Sequence, residues 1–67
     1  MEWNQIEGRW KEVKGHIKKQ WGKLTDDDFI EIAGKKDELV GRLQQKYGYT
    51  RERAEREIEK FGRNLKM

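Results

Sequence analysis

Sixty-seven residues allow one domain with one small core. Charged residues make up 43% of the chain and hydrophobic residues 33%, against a usual charged share of about 25%; the net charge is +3 and the pI is near 9.3. With no Cys, a disulfide framework and a thiolate metal site are excluded, and no apolar run approaches the roughly 18 residues needed to span a membrane.

The first elements come from spacing. Trp3, Ile6, Trp10, Val13, Ile17, Trp21 and Leu24 are separated by 3, 4, 3, 4, 4 and 3 residues, a helical stripe. Asn4 with Glu7 reads as a capping box and Gly22 as a stop, so the first helix is expected over 4–21. Gly8 and Gly15 weaken it by about 1 kcal/mol each relative to Ala, and either can kink or split it. Thr25 is a natural N-cap before Asp26, Asp27 and Asp28, whose charges suit the positive end of a helix dipole. A short helix then carries Phe29, Ile30, Ile32 and Ala33 and stops at Gly34. The next runs over 37–47 with Leu39, Val40 and Leu43 inward and Gly48 as its stop. Thr50 caps the last helix, whose buried face is Ala54, Ile58, Phe61 and Leu65. Gly62 is expected to end it.

These elements predict an all-α fold: a small single-domain bundle of four helices, or five if the first one splits, arranged as two αα-hairpins packed at a steep angle. The domain covers 1–67, with an ordered core over 3–61 and a frayed tail over 62–67. The expected core is Trp3, Ile6, Trp10, Val13, Ile17, Trp21, Phe29, Ile32, Leu39, Leu43, Tyr47, Ala54, Ile58 and Phe61. Among the tryptophans Trp10 is expected deepest, with Trp3 or Trp21 partly exposed. Such a core supplies about 3–5 kcal/mol.

An internal echo appears at an offset of 26. Trp3 matches Phe29, Ile6 matches Ile32, Gly8 matches Gly34, Val13 matches Leu39, Gly15 matches Gly41, Ile17 matches Leu43, Trp21 matches Tyr47 and Gly22 matches Gly48. Two related helical units are expected to pack together, with Gly22, Gly34 and Gly48 as caps and Gly15 and Gly41 at close helix contacts.

The same residues carry a family signature. The run Trp3-Asn4-Gln5-Ile6-Glu7-Gly8-Arg9-Trp10-Lys11, then Val13-Lys14-Gly15, then Trp21-Gly22-Lys23-Leu24-Thr25-Asp26-Asp27-Asp28, resembles the CsbD-like proteins. Ile32-Ala33-Gly34-Lys35-Lys36-Asp37-Glu38-Leu39-Val40-Gly41 and Tyr47-Gly48 continue the likeness, over residues 2 to about 61. The resemblance implies a short multihelical fold, a role in bacterial general stress, osmotic stress or stationary phase, and no catalytic residues to carry over. Hydrophilicity and abundant glycine also resemble the hydrophilins, which are associated with water loss.

Little in the chain points to chemistry. His16 is the sole histidine, and a metal site needs several converging ligands. The three consecutive aspartates read as a cap and dipole partner before a weak cation site. The predicted protein is therefore not an enzyme and takes no cofactor. Lys11, Lys14, Lys18 and Lys19 are the candidate nucleic-acid contacts, the first three along one side of the first helix; a solvated face is the competing reading. Arg51, Arg53, Arg56 and Lys60 alternate with Glu52, Glu55, Glu57 and Glu59 and read as surface pairing, such as Glu52 with Arg56. Three functions stay open: a non-enzymatic stress protein with hydrophilin-like protection, a sequence-blind nucleic-acid module using the first helix, and a helix-mediated protein-interaction domain. Protein clients or nucleic acid are the candidate partners, with no membrane, a cytoplasmic location, and a monomer or weak homodimer.

Overall fold

A computed structural model describes residues 2–65. Five helices follow in order: α1 (Trp3–Gly8), α2 (Trp10–Gln20), α3 (Asp26–Ile32), α4 (Lys36–Tyr47) and α5 (Arg51–Asn64). No strand occurs among the described residues.

The expected first helix is two helices. The chain leaves helical geometry at Arg9, with φ −115° and ψ 30°. Its amide still donates to the carbonyls of Gln5 and Ile6, both at 3.1 Å, so the junction is tight. The start also differs from the expected Asn4 cap. Glu2 is the N-cap, in extended conformation, and its amide donates to Gln5 Oε1 at 3.2 Å, which places Asn4 inside the first turn.

The break follows the repeat. Adding 26 to α1 and α2 lands on the α3 region and on α4, and Arg9 and Lys35, which share that offset, each precede the long helix of their unit. The two junctions also touch. Trp3 Nε1 donates to the Gly34 carbonyl at 2.9 Å. Gly34 has φ +81°, and a Cβ placed there would lie 3.1 Å from Glu7 Cγ and 3.7 Å from Trp10 Cγ. Glycine is thus required at this position twice over, by backbone conformation and by close approach.

Caps divide as the residue types dictate. Thr25 Oγ1 accepts from the Asp28 amide at 3.2 Å, and Thr50 Oγ1 accepts from the Arg53 amide at 3.1 Å. Gly48 ends α4 in left-handed geometry, φ 68°. The end of α3 departs from expectation: Ala33, φ 47°, is its C-cap, with Gly34 one residue beyond. Gly22 follows the C-cap Trp21 without adopting a positive φ.

Ile6, Val13, Ile17, Trp21, Leu24, Phe29, Ile32, Leu39, Val40, Leu43, Ala54 and Ile58 form the buried core. Trp3, Trp10, Tyr47, Tyr49, Phe61 and Leu65 are half-buried against it. The deepest tryptophan is therefore Trp21, 2% exposed, and not the expected Trp10, which is half-buried like Trp3. Trp21 sits at the end of α2 against Phe61, ring centroids 5.4 Å apart, so α5 covers it. Trp10 lies beside the α1–α2 junction, between Trp3 at 6.3 Å and Phe29 at 6.1 Å.

Two further expectations are corrected. Gly15 and Gly41 are exposed and would meet nothing within 4 Å if given a Cβ, so neither serves a close helix contact. Gly62 does not end α5, which continues to Asn64 with Gly62 buried inside it. Of the tail expected to fray, Lys66 and Met67 lie outside the described residues.

The Cα radius of gyration is 10.7 Å. A folded chain of this length has about 11 Å, and an unfolded one about 25 Å. A sequence this hydrophilic still closes around one core, because the aromatics and aliphatics recur at helical spacing.

Candidate interaction surface

Asp28 is the one charged residue buried among those described, at 6% exposure. Its Oδ2 accepts from the Thr25 amide at 2.9 Å and from Thr25 Oγ1 at 3.1 Å. Lys46 Nζ lies 3.3 Å from the same oxygen, and Arg42 Nη1 lies 3.5 Å from Oδ1. Arg42 also pairs with Glu31. The Thr25 amide and then Lys46 hold this carboxyl below the usual aspartate range, against the opposing effect of burial. Every contact ties α3 to its own cap or to α4. The arrangement is that of a structural lock.

The candidate lysines do not form one site. Lys11, Lys14, Lys18 and Lys19 are all exposed on α2. Lys18 Nζ is paired with Asp26 Oδ1 at 3.2 Å. Lys14 borders a groove shared with Trp10, Asp26, Phe29 and Ile30 of α2 and α3. Lys19 points the other way, into a groove with His16, Glu57, Lys60, Phe61 and Leu65 between α2 and α5. Packing thus separates Lys19 from its sequence neighbours. The acidic start of α3 lies beside Lys14 and Lys18 and offsets part of their charge.

A cationic row lies on α5 instead. Arg53, Arg56, Lys60 and Arg63 are separated by 3, 4 and 3 residues, all exposed, within an arc of about 80°. The core side of the same helix carries Ala54 and Ile58. No ion pair within 4.0 Å joins Arg56, Lys60 or Arg63 to a described residue, and the expected Glu52–Arg56 pair is absent from the described contacts. Arg51 is the paired residue of this helix, with Glu55 at 3.1 Å and Asp37 at 3.2 Å. The interleaved charges are therefore sorted by the helix into a cationic row with acids beside it. The 3-4-3 spacing of this row is the sequence signal for it, of the same kind as the 3-4 spacing of Lys11, Lys14 and Lys18.

A ring stack sits at one end of this row. Lys23 Nζ lies 5.1 Å from the Tyr47 ring centroid. Tyr47 stacks on Tyr49 at 5.5 Å with 29° between planes. Arg53 Cζ lies 4.5 Å from the Tyr49 centroid. Tyr47 Oη accepts from the Lys23 amide at 3.1 Å, which fixes the column to the α2–α3 loop. The left-handed Gly48 between the two tyrosines makes the column possible.

The family profile that matches is that of the CsbD-like proteins, over residues 4–56. The chain belongs to the CsbD-like family. This is the family of general stress-response proteins to which the Trp and Gly positions pointed. The CsbD-like match spans both repeat units and enters α5 as far as Arg56, a shorter range than the expected 2 to about 61. A UPF0337 protein of Pectobacterium atrosepticum is 58% identical over 55 residues, covering 82% of this chain and 80% of the relative. The UPF0337 protein YjbJ of Escherichia coli strain K12 is 57% identical over 51 residues, 76% of this chain and 74% of the relative. A UPF0337 protein of Protochlamydia amoebophila is 52% identical over 58 residues, 87% and 88% of the two chains. No helix among the described residues of this CsbD-like chain is long and apolar enough to cross a membrane.

Proposed function

We propose that this chain is a non-enzymatic stress-response protein of the cytoplasm that acts as a folded domain, through contact with other macromolecules. The observation that carries the reading is the disposition of charge. Among the described residues the single buried carboxylate holds α3 to its cap and to α4, while the other charged side chains are exposed or half-buried around one core. Buried, shifted ionisable groups mark reaction centres when they line a cleft; this one sits in a cap. What the molecule offers its surroundings is a charged outer surface on a fixed framework. Family membership supports the stress context.

The test is protection of a client enzyme during drying or heating. Trp21→Ala supplies the unfolded control, since Trp21 is almost wholly buried and removing a buried Trp costs about 3–5 kcal/mol, comparable to the whole stability of so small a core. Protection above that of an inert protein at equal mass, and lost in the variant, supports a folded-state action. Protection no better than the inert protein refutes it.

A further inference from the structure

We propose that the cationic row of α5, together with Lys19 and the Lys23–Tyr47–Tyr49–Arg53 column, is a binding track for the phosphate backbone of duplex nucleic acid. The inference rests on the contact-based reading above and names one partner class for it.

Three observations converge. Arg53 and Arg63, the ends of the row, are ten positions apart, about 15 Å at 1.5 Å per residue. Each duplex strand presents a phosphate about every 3.4 Å of axis, so the row covers about four of them. Arg56, Lys60 and Arg63 have no ion pair with a described residue, so phosphate contact displaces no intramolecular partner. Lys60 and Lys19 border the same groove between α2 and α5, which extends the cationic surface from one helix to the next.

The ring column adds order. Cations held over aromatic faces sample fewer rotamers than free ones, which lowers the entropy lost when they meet a ligand. Lys23 and Arg53 are positioned in this way at one end of the track. Both faces of the tyrosine pair are engaged, by each other and by the two cations, so the column presents charge to phosphate and not an open ring to a base. Recognition is accordingly blind to sequence.

Acids flank the α5 row. Glu57 shares the groove with Lys19 and Lys60, and Glu59 shares a surface hollow with the row. The α5 row is therefore the principal phosphate contact, with Lys19 a flanking one across Glu57. The same geometry disfavours an anionic bilayer. Interfacial helices insert an apolar face beside their cations, whereas Ala54 and Ile58 of α5 are buried in the core. Among the described residues the exposed large hydrophobic residue is Ile30, which belongs to α3.

The experiment is fluorescence anisotropy of a short labelled duplex of random sequence, titrated with the full chain between about 50 and 200 mM salt. Two double variants of equal charge change are compared: Arg56→Gln with Lys60→Gln on α5, and Lys11→Gln with Lys14→Gln on α2. All four positions are exposed and helical, and far-UV circular dichroism verifies that both proteins fold. With the four α5 cations each meeting a phosphate, the wild-type log–log salt slope is expected to be about −3.5, and steeper where Lys19 and Lys23 also make contact. The α5 pair is expected to lower affinity at least tenfold and to flatten the slope by about 2. The α2 pair is expected to change affinity less than about threefold. Equal losses in the two pairs, no binding at low salt, or binding to phosphatidylglycerol vesicles with none to the duplex would each overturn the proposal. Those outcomes leave the client-protection result unchanged, so the two readings fail separately.

Discussion

Asp28 shows how one residue links sequence, stability and pH. Its place three residues after Thr25 marks a capping pair, and the structure adds Lys46 and Arg42 of α4. The folded-state carboxyl is held below its ordinary value. The resulting stability is therefore fully present above the unfolded value of about 3.9 and is lost as pH falls through the lower, folded-state value. Asp28→Asn is expected to cost about 1–2 kcal/mol at neutral pH. The difference between variant and wild type should shrink in acid, measured as denaturant midpoints at neutral pH and below the unfolded value. A difference independent of pH would mean that the carboxylate charge contributes nothing. The Thr25–Asp28 half of this lock was legible from local spacing. The α4 half was not, because eighteen residues separate Asp28 from Lys46 and only packing brings them together.

At the scale of an element, the glycines separate by what surrounds them. Gly15 and Gly41 sit inside exposed helix with open space where a Cβ would go. Gly15→Ala and Gly41→Ala should each stabilise the domain by about 1 kcal/mol, raising its melting temperature by roughly 4–8 °C. Gly34→Ala should do the reverse and act more severely than Gly48→Ala. Both have positive φ, but only Gly34 also meets Glu7 and Trp10. Thermal denaturation of the four variants checks the order; a destabilising Gly15→Ala would contradict the open environment. The sequence separates the caps Gly34 and Gly48 from Gly15 and Gly41 but misplaces the latter two, since a spacing of seven fits a packing stripe and a solvent face equally well. The split at Arg9 was more accessible. Once Gly34 is read as the end of a helix, the repeat makes Gly8 the end of its counterpart.

For the whole molecule, α5 is the element outside the repeat, and it closes the core. It packs on α4, places Ala54 and Ile58 in the buried cluster, and covers Trp21 with Phe61. Removing residues 51–67 is expected to leave two helical units that cannot hold the 10.7 Å compactness of the intact chain. Small-angle scattering should show a radius well above the folded value and toward the unfolded one of about 25 Å. A truncated chain with native-like size would show that the repeat pair folds alone.

Sequence alone determined the helical class, four of the five helix starts to within two residues, the Thr caps and most of the buried aliphatics. Each of these depends on neighbours within a few positions, where periodicity and capping chemistry act. Tertiary structure decided which Trp is deepest, which glycine must be a glycine, and which cations stand together. Trp21 is buried because α5 returns over it, and Lys19 joins the α5 cations because α2 and α5 share a groove. Those outcomes depend on the order in which helices pack, and a helical wheel drawn one segment at a time does not contain that order.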